Sequence, residues 1–208
     1  MRTDQLIDLL ASNLKPVDRR LLSQRFHIAL VIGSAATFGE TCLFIDARQA
    51  FDDDLSGFFA QLFVASFVVA TTKVFLFRAA HPGAEMWGFP ALASFPIGAI
   101  VAFAAVGLAL TSRSGISVDS SSLVCFLYIP LLAIAPFASV VWALRAGAPT
   151  QLARAGAAAG LLSGALGASA CALPCANNLY VAVALCHGLA LEICTGVGAG
   201  LGLRVLRW

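Results

Sequence analysis

With 208 residues, 60% of them hydrophobic and only 12% charged, this chain carries about half the charge of a typical water-soluble domain. A soluble fold of this size has too little interior to hide that much apolar surface, so a water-soluble globular protein is excluded. The solvent that suits it is a bilayer, in which a helix needs roughly 20 mostly apolar residues to cross the hydrocarbon.

Residues 1–26 are the sizeable polar part. Thr3 can cap a helix, and Leu6, Leu10 and Leu14 then recur at i, i+4 and i+8, with Ile7 and Leu9 widening the apolar face. Asp4 and Asp8 stand early, where they favour the helix dipole, and Pro16 stops the run. A short amphipathic helix of this kind lies on a membrane surface or docks into a groove on a partner. Its polar face holds Asp4, Gln5, Asp8, Ser12 and Asn13 rather than basic residues, so a protein partner is favoured. A removable signal peptide would pass directly from a charged stub into an apolar run. Here acids at Asp4, Asp8 and Asp18 intervene, and the segment is expected to stay.

Six apolar stretches follow, at 27–45, 56–77, 89–110, 123–144, 153–173 and 179–203. Lipid cannot satisfy exposed backbone amides, and the alternating ten-residue pattern of a barrel is missing, so each is read as a transmembrane helix. The expected fold class is all-α: a six-helix transmembrane bundle over 27–208, preceded by a short amphipathic N-terminal cytoplasmic helix. Pro90 and Pro96 in the third stretch, with Pro130 and Pro136 in the fourth, are candidates for kinks. Gly156, Gly160, Gly164 and Gly167, then Gly196 with Gly200 and Gly198 with Gly202, give the last two stretches small-xxx-small faces that let helices approach closely.

Charge sets the orientation. With the N-terminus inside, Arg2, Lys15, Arg19, Arg20, Arg25, Lys73, Arg78, Arg145, Arg154, Arg204 and Arg207 fall inside, and only Arg48 and Arg113 fall outside. Such a bias puts both termini in the cytoplasm. Lys73 lies within the second stretch, near enough to its inner end to snorkel. Asp46, Asp52, Asp53, Asp54 and Asp119 make the outer loops acidic, either to attract cations or simply as solvated turns.

Topology then sorts the six cysteines. Cys42, Cys125, Cys171 and Cys175 come near the outer face, where thiols are oxidised and disulfides persist, while Cys186 and Cys194 lie deeper. Cys42, Cys186 and Cys194 read as small apolar filler. Cys175, in the turn Pro174–Asn178, is the best candidate for a reactive thiol, with Cys125 or Cys171 as partner; sequence alone does not fix the pairing. Without a Cys-x-x-Cys pair or a nearby outer His, zinc is disfavoured, and no cofactor is expected. Glu40 and Glu192 are costly in hydrocarbon and should face the bundle interior, satisfied by hydroxyls such as Ser34 and Thr41 or acting in a proton relay.

Three segments resemble one known family: Met1–Leu10 through Lys15-Pro16-Val17; Cys125-Phe126-Leu127-Tyr128-Ile129-Pro130-Leu131-Leu132 continuing to Ala143–Thr150; and Arg204-Val205-Leu206-Arg207-Trp208. On these the chain is similar to the NrsF family of bacterial membrane anti-sigma factors. The resemblance implies six spans in the cytoplasmic membrane, a sensing pair of cysteines at Cys125 and Cys175, and an extracytoplasmic-function sigma factor as partner, held in part by the lead segment. Direct contact with nucleic acid is not expected. Where the family tends to carry acids and a Ser-Pro after the second cysteine this chain has Ala176–Tyr180, and Cys186-His187 replaces an aromatic pair.

The expected function is therefore that of a non-enzymatic regulator, an anti-sigma factor that lets go of its sigma factor when outward-facing cysteines sense oxidants or heavy metals. Two competitors come from other classes. A membrane thiol-disulfide oxidoreductase would ordinarily show Cys-x-x-Cys, and only Cys171-x-x-x-Cys175 is present. A small proton-coupled transporter would use Glu40 and Glu192, but the two halves show no internal repeat. Oligomeric state is left open.

Overall fold

Helix formation starts ahead of the first apolar stretch. In the computed structural model, which describes residues 12, 19–44, 55–79, 98, 120–147, 149–171 and 180–207, α1 spans Arg19–Phe44. The reason is a stripe that ignores the basic residues. Leu22, Phe26, Ala29, Gly33 and Thr37 recur every three or four positions and all are buried, while Arg20 and Arg25 project outward from the same turns.

The remaining helices are α2 (Leu55–Ala79), α3 (Ser120–Leu132), α4 (Ile134–Leu144), α5 (Leu152–Ala170) and α6 (Tyr180–Val205). The fold is all-α, with no strand among the described residues. Five of the six expected stretches carry these helices. The sixth, 89–110, lies outside the described residues apart from Gly98, which is helical and exposed. The lead segment, with Leu6, Ile7, Leu9, Leu10 and Leu14, also lies outside them apart from the helical, exposed Ser12.

The stretch 123–144 is interrupted at a single residue. α3 ends at Leu132 and α4 begins at Ile134, with Ala133 between them as a turn. Pro130 cannot donate to the Phe126 carbonyl nor Pro136 to that of Leu132, so two ladder bonds are missing around one joint. Ala133 N–H to Ile129 O and Phe137 N–H to Ala133 O, both 3.0 Å, carry the ladder across the joint.

Small residues bring the helices together, and large apolar ones coat the outside. Along the antiparallel α5–α6 pair, the most extensive helix contact among the described residues, a Cβ on Gly156 would stand 2.7 Å from Gly202 Cα, and one on Gly198 2.8 Å from Gly160 Cα. The backbones touch directly, as glycine alone allows. α1 meets α4 in the same way, where a Cβ on Gly33 would stand 3.0 Å from Pro136 Cα and 2.9 Å from Ser139 Oγ. Outside, Val31, Ile32, Phe38, Leu43, Phe63, Leu127, Ile134, Ile193 and Leu203 are exposed, a coat suited to hydrocarbon rather than water. Three stretches, Arg20–Leu43, Phe126–Leu144 and Cys186–Val205, are long and apolar enough to cross a membrane.

Candidate functional site

Two junctions, one at each end of the bundle, hold the residues that matter. At the first, Leu22 and Phe26 of α1, Leu76 of α2, Val141 and Leu144 of α4, Ala155 and Ala158 of α5 and Leu206 after α6 form one buried cluster. The Phe26 and Phe77 rings meet edge to face at 6.2 Å. The start of α1, where the lead segment joins, and the end of α6 therefore share this end. So do all the described lysines and arginines: Arg19, Arg20, Arg25, Lys73, Arg78, Arg145, Arg154, Arg204 and Arg207.

Polar contacts tie the junction together. Arg145, in the turn after α4, donates from Nε at 3.1 Å and Nη2 at 2.9 Å to the Val205 carbonyl. The last carbonyls of a helix lack ladder partners and carry partial negative charge, so a guanidinium there caps α6 and fastens it to the α4–α5 turn. Ser139 Oγ lies 2.9 Å from Ala29 O and the same distance from Pro136 O; its one proton bridges α4 to α1 when it goes to Ala29. His27 donates from Nδ1 to Ser23 O at 2.7 Å, leaving Nε2 to accept from Lys73 Nζ at 3.5 Å. The Arg25 guanidinium sits over the Trp142 ring at 5.8 Å. None of Arg145, Ser139 and Trp142 was expected from sequence to hold the junction; the sequence counted Arg145 only as a positive charge, although its place in Ala143–Thr150 was a signal.

At the opposite end α3, α5 and α6 converge. Ile129, Ala168, Cys171 and Ala190 are buried together, with Phe126 and Tyr128 packed against them. A Cβ on Gly167 would stand 2.8 Å from the Ile129 carbonyl, so α3 and α5 cross here almost backbone to backbone. Cys171, just past α5, is a free thiol at 1% exposure. Cys125 occupies the α3 turn preceding Ile129. Cys175 lies outside the described residues. Of the three cysteines expected to act as fillers, Cys186 and Cys194 are buried and Cys42 is exposed on α1. Among the described residues no group of three or more His, Cys, Asp or Glu could hold a metal.

The glutamates are only partly enclosed. Glu40 is half-buried, and the hydroxyls expected beside it are engaged elsewhere, Ser34 on Val31 O at 3.1 Å and Thr41 on Thr37 O at 2.8 Å. Glu192 is also half-buried, but its Oε1 is enclosed and has no described hydrogen-bond partner. The fully buried Thr72 Oγ1 is likewise unpartnered among the described residues.

Against a family model described as "Negative regulator of sigma F", NrsF, the chain matches over residues 10–208. The chain belongs to the NrsF family. Two curated relatives align over the whole of both chains: a "Probable anti-sigma-F factor NrsF" of Azospira oryzae (strain ATCC BAA-33 / DSM 13638 / PS), 30% identical over 216 residues, and an "Anti-sigma-F factor NrsF" of Caulobacter vibrioides (strain NA1000 / CB15N), 27% identical over 224 residues. No solved structure matches. Both junctions fall within the part that matches the NrsF model.

Proposed function

We propose that this chain is a membrane-bound anti-sigma factor. It crosses the cytoplasmic membrane six times with both termini in the cytoplasm, holds an extracytoplasmic-function sigma factor through residues 1–26, and releases it when the thiols at Cys125 and Cys175 are oxidised or take a soft metal. The observation that carries this reading is similarity along the whole chain to two proteins named as anti-sigma-F factors.

The architecture supports the topology. The described basic residues gather at one end, as cytoplasmic ends do. Ala79 closes α2 at that end and Ser120 opens α3 at the other, so the chain changes ends between them, and the apolar run 89–110 is long enough for the passage. The lead segment joins α1 at the cytoplasmic junction, on the sigma factor's side of the membrane. Oxidised or metal-bound thiols at the outer end would alter how α3 and α5 pack, and the joint at Ala133 connects that change to α4 and the inner junction. A bias of about 3 kcal/mol suffices for a hundredfold change in the ratio of holding to releasing states.

The test is transcriptional. Cys125→Ser with Cys175→Ser is introduced into the full-length protein, and a promoter read by the sigma factor is followed under oxidant and soft metal. The reading expects the response to vanish while repression persists. An unchanged response would remove the sensing role.

A further inference from the structure

We propose that Lys73 and His27 hold the phosphate of an anionic glycerophospholipid where α1 and α2 meet at the cytoplasmic junction. The proposal rests on the membrane reading above, which sets this end of the bundle at the inner leaflet. The Phe26 and Phe77 rings bring the two helices together here. Beside them the His27 ring faces Lys73, with Nε2 3.5 Å from Nζ. Because Nδ1 is committed to Ser23 O at 2.7 Å, the imidazole is held in place and Nε2 acts only as an acceptor. It takes one of the three ammonium protons, at the long limit of a hydrogen bond, and brings no negative charge. All the described lysines and arginines gather at this end, and no described acid stands among them. The two described acids lie far off, Glu40 13 residues beyond His27 on α1 and Glu192 12 residues before Arg204 on α6, roughly 20 Å along their helices.

Depth and surroundings select a lipid as the source of that charge. His27 comes eight residues after the start of α1 and Lys73 six before the end of α2, about 12 and 9 Å along the axes. Both side chains therefore sit where headgroups give way to hydrocarbon, within reach of a phosphate by snorkelling. Further along the His27 face of α1, Val31 and Phe38 are exposed, an apolar track for an acyl chain. In the other direction the same face carries the exposed Arg20, which extends the positive field toward the headgroups. A free anion would use the charge and leave the track bare; a phospholipid uses both. The two remaining ammonium protons of Lys73 go to phosphate oxygens, and the bound lipid fastens α1 to α2 next to the lead segment.

The test uses the full chain in nonionic detergent, given equal amounts of phosphatidylglycerol and phosphatidylcholine with identical acyl chains and read by native mass spectrometry. The wild-type chain should retain phosphatidylglycerol at least tenfold over phosphatidylcholine. Lys73→Gln should cut that preference at least fivefold. Arg154→Gln, which removes a cation bonded to Gln151 at the same end, should leave it unchanged. Equal retention of the two lipids, an unaltered preference in Lys73→Gln, or equal loss in both variants overturns the proposal. Should Lys73→Gln fail to fold, the exposed His27 is changed instead: His27→Glu sets a carboxylate against the ammonium and should abolish the preference, and a preference that survives it overturns the proposal. Millimolar inorganic phosphate separates the sources, since phosphatidylglycerol retained in its presence supports a lipid site and displacement by it overturns the lipid in favour of a free anion. Detergent has no leaflets, so the lipid can bind even if the topology is inverted, and its failure to bind leaves the topology and the anti-sigma reading standing.

Discussion

Gly160 and Gly196 are both helical glycines, yet alanine should act on them with opposite sign. A Cβ on Gly160 would stand 2.9 Å from the Cys194 carbonyl carbon, closer still to its oxygen, and 3.1 Å from Gly198 Cα. All are backbone atoms that no rotamer change can move, so α5 and α6 must part. Overpacking of this kind costs about 1–3 kcal/mol, and the better helix propensity of alanine returns about 1 kcal/mol or less. A net loss of about 1–2 kcal/mol corresponds to a melting temperature lower by roughly 2–8 °C for a chain of this size. At Gly196 an added Cβ meets nothing within 4 Å, so Gly196→Ala should leave the melting temperature unchanged or raise it by up to about 4 °C. Both variants are melted in lipid nanodiscs with intrinsic tryptophan fluorescence as the readout. Equal losses in the two, or a gain at Gly160, would refute the direct α5–α6 backbone contact.

Arg145→Ala removes both donors from the Val205 carbonyl; in this exposed setting the loss should be about 0.5–1.5 kcal/mol, seen as faster hydrogen exchange in the last turn of α6, and Arg145→Lys should recover less than half of it because a single ammonium lacks the fork. Pro136→Ala restores an N–H that can reach the Leu132 carbonyl and should complete the ladder beside Ala133, stiffening the joint. Transcriptional release on oxidation should then fall while repression persists; full release would show that the joint plays no part.

Much of the helix placement was legible because apolar runs near 20 residues have one solution in lipid. What the runs could not show was where each helix starts. α1 begins at Arg19 because Leu22 and Phe26 need burial, a demand that the neighbouring Arg19, Arg20 and Arg25 mask in any average of hydropathy. The glycine faces were visible as spacing, but not which of them is used: Gly198 and Gly202 meet α5, whereas Gly196 and Gly200 meet nothing, a distinction made only by rotation about the helix axis. Arg145 and Ser139 were hidden for a related reason, since each reaches a carbonyl on a helix distant in sequence, and carbonyls carry no residue-type signature. The prolines announced a disturbance in 123–144; that it falls at Ala133 follows from the missing bonds on either side of that residue, 130 to 126 and 136 to 132.

The central claim is that a cytoplasmic lead helix on a membrane bundle grips a sigma factor. It is tested most directly by capturing the full-length protein from detergent-solubilised membranes and measuring the co-purifying sigma factor, in the wild-type chain and in one carrying Leu6→Asp, Leu10→Asp and Leu14→Asp, with membrane content matched between them. The account predicts stoichiometric sigma factor with the first and at least a tenfold loss with the second. Equal recovery from both would show that the grip lies elsewhere, and none from either would contradict the anti-sigma reading itself.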